Sequence, residues 1–234
     1  LTKMMKVIHL RKCMMSDPLK LAIFDCDGTL VDGQHMIISS MMHASKKFDI
    51  PYPGDEPVRR IVGLSLLEAI SRVFPQLTNN DHQVLKEEFI DHFQYLRTLD
   101  DYHEPLYDGI RETIIELNKM GVLLGVATGK STRGLKNTLL NHGLHDHFVT
   151  LNTADDGPGK PHPSMINVAL SDAGVEKENA FMIGDTTYDM IMAENAGVKS
   201  VGVTWGYHPE DELKSSGANH IIHHISELIN LVKL

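Results

Sequence analysis

Asp25 and Asp27 close the apolar run Leu21-Ala22-Ile23-Phe24, and Gly28 follows at once. Leu, Ile and Phe bounded by a glycine read as a buried strand. The end of such a strand is where open α/β sheets hold their ligands. Two carboxylates at that place repel each other and need a cation or a proton to coexist. The same pair also suits an ordinary turn before a glycine. Taken alone, it leaves catalysis and loop chemistry both open.

Three further segments follow the same plan. Leu123-Leu124-Gly125-Val126-Ala127 runs into Thr128-Gly129-Lys130, and Gly159-Lys160-Pro161-His162-Pro163 precedes a helical pattern. Ala180-Phe181-Met182-Ile183 runs into Gly184-Asp185-Thr186-Thr187-Tyr188-Asp189. In this order the four segments resemble the haloacid dehalogenase-like phosphohydrolase superfamily, and most closely its phosphoglycolate-phosphatase-like branch. The resemblance runs through nearly all of the chain from Leu19 onward.

The resemblance implies a Mg²⁺-dependent phosphatase acting on phosphomonoesters of small metabolites. Asp25 would be the nucleophile that becomes an aspartyl-phosphate, splitting one difficult displacement into two easier ones. Asp27 would protonate the leaving oxygen and then deprotonate the attacking water, a role that needs a raised pKa. Mg²⁺ would sit between Asp25, the backbone carbonyl of Asp27 and Asp185, with Asp189 a second carboxylate on the metal side, direct or through water. Thr128, the N–H of Gly129 and Lys160 would hold the phosphoryl oxygens. Read singly, Thr128 is also a reasonable helix cap and Lys160 a surface lysine before a turn.

Asp27 separates the chain from relatives that cleave carbon–halogen or carbon–phosphorus bonds. The implied alternatives are a sugar-phosphate mutase or a pyrophosphatase of the same superfamily, and a non-catalytic protein that keeps the fold. Many members of the branch have Asn after the motif threonine where this chain has Gly129. That departure puts the phosphoglycolate substrate itself in question.

Bulk properties suit an ordinary enzyme. At 234 residues and 42% hydrophobic content the chain can bury a full core. A net charge of −9 speaks against nucleic acid or an anionic membrane as partner. Two cysteines, Cys13 and Cys26, suggest no disulfide framework and fit a reducing cytoplasm. No apolar stretch approaches the ~20 residues of a membrane span. A monomer or homodimer acting on a small phosphorylated metabolite is expected.

Elements that could position these groups alternate along most of the chain. Residues 16–32 and 107–234 read as an α/β core, a doubly wound, mostly parallel, Rossmann-like sheet with strands at 122–128, 148–151, 181–184 and 200–203. Residues 33–106 read as helical throughout, with apolar spacing at 36–48, 65–74 and 81–99. An insertion there matches the family's helical cap, hinged at 32–35 and 104–108. Residues 1–15 read as a leader or added segment outside the working domain.

Specificity is expected on the insertion. Arg59 and Arg60 are candidates for binding a second anion, or are a solvated basic turn balancing Asp55 and Glu56. Lys130 and Arg133 are alternatives from the core side. His142, His145 and His147 read as a helix-end loop rather than a zinc site, and Trp205 as packing under a loop.

Overall fold

The computed structural model of the chain describes residues 18–100 and 102–233, so the expected leader lies outside it. Strand β1 (Leu21–Phe24) is wholly buried, as an unbroken apolar run in a parallel sheet should be. Because side chains alternate, Leu21 and Ile23 pack into one core layer, while Ala22 and Phe24 pack into the opposite one.

Between β1 and the next strand come α1 (Gln34–Lys47), the short α2 (Asp55–Arg59), α3 (Leu66–Val73) and α4 (Asn79–Leu96). They share their own apolar centre, in which Met41, Val58, Ile70, Phe74 and Leu85 are buried. Thr78 and Asp81 form a capping box that fixes the start of α4. The two connections to the sheet run side by side. Val31 bridges Leu106, the Asp32 N–H donates to the Pro105 carbonyl at 2.9 Å, and the Tyr107 N–H donates to the Leu30 carbonyl at 3.1 Å.

The alternation then resumes: α5 (Ile110–Lys119), β2 (Leu123–Ala127), α6 (Thr132–Asn141), β3 (Thr150–Asn152), α7 (Ser164–Ala173), β4 (Ala180–Gly184), α8 (Thr187–Ala196) and β5 (Lys199–Val203). Helix α9 (Glu210–Ser215), strand β6 (His220–Ile222) and helix α10 (Leu228–Leu231) follow. All six strands are parallel, in the order β3-β2-β1-β4-β5-β6. The chain leaves β1 toward one edge and returns at β4 to build toward the other. The carboxyl ends of β1 and β4 therefore flank the switch point where doubly wound sheets bind ligands.

Two details differ from expectation. The strand placed at 148–151 begins only at Thr150, because a 3₁₀ turn at His145–His147 leads in and Phe148 drops into the core. The edge strand β6 and helix α9 carry too few residues for their periodicity to register. His223 and His224 lie past the end of β6, in the turn that opens the last helical segment, where His224 caps Ser226.

Candidate active site

Register places the acidic groups. Phe24 pairs with Ile183, and the Asp25 N–H donates to the Ile183 carbonyl at 2.8 Å, so Asp25 and Asp185 emerge next to each other. Asp189 reaches the same spot from the first turn of α8. Carboxylate oxygens of Asp25, Asp185 and Asp189 lie within 4.8 Å of one another, and all three residues are 0% exposed. The other donors are fixed around them. Asp185 accepts from Thr29 Oγ1 and from the Tyr207 N–H, both at 2.9 Å. Asp189 Oδ2 accepts from the Thr186 N–H at 3.0 Å and its Oγ1 at 2.7 Å, completing the capping box of α8.

Lys160, fully buried, stands 2.7 Å from Asp25 Oδ1 and 2.6 Å from Asp189 Oδ1. Burial would strip its proton, but the two carboxylates hold its pKa above the ordinary lysine value. Three carboxylates against one ammonium leave two negative charges in excess if all are ionised. Burial pushes Asp25 up to about 7, with the Asp189 charge adding and Lys160 opposing. Burial raises Asp185 as well, and the Asp25 charge adds to it. Asp25 Oδ2 is buried with no hydrogen-bond partner among the described residues. An all-oxygen donor set, a twofold charge deficit and an unpaired oxygen fit a hard divalent cation such as Mg²⁺. Among the described residues, this is the one cluster of His, Cys, Asp and Glu that meets the spacing for a metal ion.

Asp27 points elsewhere. Its Oδ1 lies 2.9 Å from Lys130 Nζ, outside the acidic trio. Lys130 also contacts Glu104 Oε1 at 2.9 Å. Glu104 Oε2 accepts from Tyr102 Oη at 2.6 Å and Thr138 Oγ1 at 2.9 Å, and Arg97 approaches at 3.4 Å. The two carboxyls divide the proton unequally. Burial would raise Glu104, yet Lys130, Tyr102 and Arg97 together bring it down to about 2. Burial raises Asp27, and Lys130 only partly opposes it. Asp27 is the member of this pair whose protonated form burial favours.

Thr128, 1% exposed at the end of β2, donates its N–H to the Asn152 carbonyl at 3.0 Å and accepts from the Lys130 N–H at 3.3 Å. Two glycines allow the close approaches. Gly28 has φ +82°, and a Cβ there would lie 2.2 Å from Asp185 Oδ2. At Gly129 a Cβ would lie 2.3 Å from the Leu64 carbonyl of the helical insertion. The departure from Asn at this position has a steric reason: the insertion's loop is seated on it.

Asp25, Asp185, Asp189 and Lys160 come together, Asp27 and Gly129 line the cavity beneath the insertion, and Thr128 follows the neighbouring strand β2. Arg59 and Arg60 join neither group. Arg59 donates to Gln34 Oε1 at 3.0 Å and lies near Asp55 and Glu56, while Arg60 pairs with Glu212 of α9. The three loop histidines also go separate ways: His142 contacts the Glu104 carbonyl, His147 contacts Asn118 and His145 contacts Asp146. Trp205 packs on the core with its Nε1 donating to the Thr29 carbonyl, and Cys26 is a buried filler. Glu104 and Arg97 escaped the sequence reading as site residues, since a carboxylate in a linker and an arginine at a helix end carry no pattern. The Thr186-x-x-Asp189 spacing was a readable capping signal.

A doubly wound sheet with paired acids at its switch point, a helical insertion above and a buried lysine defines the haloacid dehalogenase-like hydrolases. The chain belongs to that family, whose pattern matches residues 22–203. Within it the chain falls in the phosphoglycolate-phosphatase-like branch. It is 33% identical over 213 residues to the protein called Probable phosphatase IndB of Dickeya dadantii strain 3937, covering 89% of this chain and 91% of the relative. It is 27% identical over 227 residues to the phosphoglycolate phosphatase of Vibrio vulnificus strain CMCP6, covering 94% and 98%. The crystal structure of a predicted phosphatase from Clostridium acetobutylicum superposes with a TM-score of 0.82 at 28% identity, covering 93% of this chain and 100% of that one.

Glu104→Gln should lower stability by about 1–3 kcal/mol at pH 7, since a buried carboxylate with several donors is lost. Its folded pKa lies below the ordinary 4.5. Wild type therefore keeps its full advantage above about 4.5 and loses it as pH falls toward 2. Urea midpoints at pH 7, 4.5 and 3.5 should show the gap narrowing; a gap that widens in acid rules out the charge network as its source.

Proposed function

We propose that this chain is a divalent-metal-dependent phosphatase of small-metabolite phosphomonoesters, with Asp25 as nucleophile, Asp27 as acid and base, and Mg²⁺ as the native cation. The observation that carries this reading is the unequal environment of the two motif aspartates. Asp25 touches Lys160 and the acidic trio, whereas Asp27 touches Lys130 and opens onto a cavity beneath the insertion. One carboxylate is placed to attack phosphorus and the other to serve the leaving oxygen.

In the first half-reaction an oxygen of the Asp25 carboxylate bonds to phosphorus while the phosphorus–oxygen bond to the leaving group breaks. Protonated Asp27 gives its proton to the departing oxygen, so a neutral alcohol leaves rather than an alkoxide. In the second, Asp27 takes a proton from water as the water oxygen bonds to phosphorus. The bond from phosphorus to the Asp25 carboxyl oxygen breaks, releasing inorganic phosphate and restoring both residues. Lys160 and the Thr128 hydroxyl hold the transferring group, and Asp189 positions Lys160 through their 2.6 Å contact. Bound at Asp25 and Asp185, a divalent cation would screen the phosphate charge from the nucleophile. Asp189, with both oxygens already engaged, acts as the positioning member of the trio.

The helical insertion, residues 33–106, acts as a cap that keeps water from the acyl phosphate until the alcohol has left. It is seated on the core by the Arg60–Glu212 pair, by Tyr188 Oη donating to the Arg60 carbonyl at 3.1 Å, and by the Gly129 contact. Among the described residues no helix is long and apolar enough to cross a membrane. A free, buried Cys26 suits a reducing compartment such as the cytoplasm.

Asp25→Asn should reduce turnover of a phosphomonoester at least a thousandfold with circular dichroism unchanged, and beryllium fluoride with Mg²⁺ should add to wild type at residue 25 but not to the variant. An adduct elsewhere would remove the nucleophile assignment. Asp27→Asn should cost alkyl phosphates on the order of 10²–10⁴-fold and p-nitrophenyl phosphate far less, because nitrophenolate leaves without a proton; equal losses would count against acid catalysis. Folded-state pKa values of Asp25 and Asp185 are raised, so the metal-free protein should lose stability as pH climbs from about 4 through 7. Mg²⁺ replaces those protons. At a hundredfold excess over Kd its stabilisation corresponds to a melting-temperature rise of about 5–10 °C at pH 8, shrinking at pH 5.5. A rise larger at the acidic pH would contradict a site made by these carboxylates.

A further inference from the structure

A cavity of about 470 Å³ separates the helical insertion from the carboxyl end of the sheet, and Asp27 is part of its wall. Most of the insertion's share of that wall is hydrocarbon, from Ile37, Met41, Ile61, Phe89, Ile90 and Phe93; Lys86 and Gln94 of α4 add polar groups to it, and Arg133 lines it from the core side. The cations near Asp27 are already engaged. Lys130 is held by Asp27 and Glu104, and Arg97 by Glu104 and Thr138 at 3.1 Å. Arg59 and Arg60, the basic pair of the insertion, face other carboxylates and do not line the cavity.

Size and lining together restrict what fits. At ~30 Å³ of liquid volume per water, the space equals roughly fifteen waters, several times a two-carbon acid. Pockets of this volume with hydrophobic walls and a few polar groups hold ligands of many heavy atoms. A small leaving group with its own carboxylate would leave most of the cavity wet. It would also bring a charge against Phe89 and Ile37, while the lining cations outside the Asp27–Glu104 group, Lys86 and Arg133, are half-buried and exposed rather than enclosed with it.

Resting on the phosphatase reading above, we propose that the physiological substrates are monoesters whose leaving group is bulky and largely apolar. The alcohol oxygen lies at Asp27 and the hydrocarbon part fills the cavity under the insertion. Short leaving groups with a second anionic charge, phosphoglycolate among them, are poor substrates.

Primary alkyl phosphates from ethyl to hexyl test this, since their alcohols leave equally badly and differ only in length. Wild type with Mg²⁺ should show kcat/KM rising three- to fourfold per added methylene, roughly a hundredfold overall. 2-Phosphoglycolate should be turned over no faster than ethyl phosphate. Calorimetric binding of the matching alkylphosphonates should strengthen along the same series, independently of turnover. Ile37→Ser and Phe93→Ser should flatten both slopes. A flat profile in wild type, or 2-phosphoglycolate outrunning hexyl phosphate, overturns the proposal while leaving phosphatase chemistry intact. Failure to hydrolyse any ester, together with no fluoride adduct at Asp25, would instead defeat the underlying reading.

Discussion

The structure is organised around a charge imbalance that water cannot relieve. Asp25, Asp185 and Asp189 are fully buried, and the one ammonium among them is Lys160. Burying an ion costs several kcal/mol unless partners replace its hydration, so the surroundings are largely a set of replacements. Thr29 and the Tyr207 N–H serve Asp185, while the Thr186 N–H and hydroxyl serve Asp189. What remains unserved is Asp25 Oδ2. Incomplete solvation of that oxygen suits the nucleophile role proposed for Asp25. The parallel sheet makes this placement possible, because neighbouring strands β1 and β4 deliver two acids to one point without any loop having to find it.

A second ionic group surrounds Asp27. Glu104 and Asp27 share Lys130, but Glu104 also has Tyr102, Thr138 and Arg97. Additional donors favour the charged form of Glu104 and hold its pKa down, whereas burial raises that of Asp27. Arg97 follows directly on α4, and Glu104 lies in the returning connection. Asp27, the proposed acid and base, is thus linked through two ion pairs to Glu104 and through a third to Arg97. A displaced insertion would disturb the same carboxylate that sets the protonation of Asp27.

How much of this could be read from the chain itself depended on whether local pattern or tertiary packing decided the matter. Asp25, Asp185 and Thr128 stand at the ends of apolar runs, and strand ends are legible because burial on both faces makes a continuous hydrophobic stretch; Lys160 lies in a Gly- and Pro-flanked loop instead. The helical insertion was legible from its spacing, and the sheet from the alternation around it. Arg59 and Arg60 misled because charge and position say nothing of direction: the backbone turns Arg60 toward Glu212, more than a hundred residues away in sequence. Glu104 was invisible for the opposite reason. Its surroundings come from Tyr102, Lys130, Thr138 of α6 and Arg97 just past α4, whose spacing along the chain forms no recognisable motif. The short β6 and α9 offered too few residues for a period to appear.

Gly129 joins the two halves of this account. It belongs to the segment that begins with Thr128, on the phosphate side, yet its missing side chain is filled by the carbonyls of Gly63 and Leu64 from the insertion. An asparagine there would place side-chain atoms where those carbonyls now sit, so it would need a higher seat for the loop or a different loop. The loop's height in turn sets how near Ile61 and the hydrocarbon faces of α1 and α4 come to Asp27. A change that on the core side would look like the loss of one hydrogen bond therefore reshapes the leaving-group side. The phosphate end of such a site can stay constant while a single small residue beneath the insertion alters which alcohol fits above it.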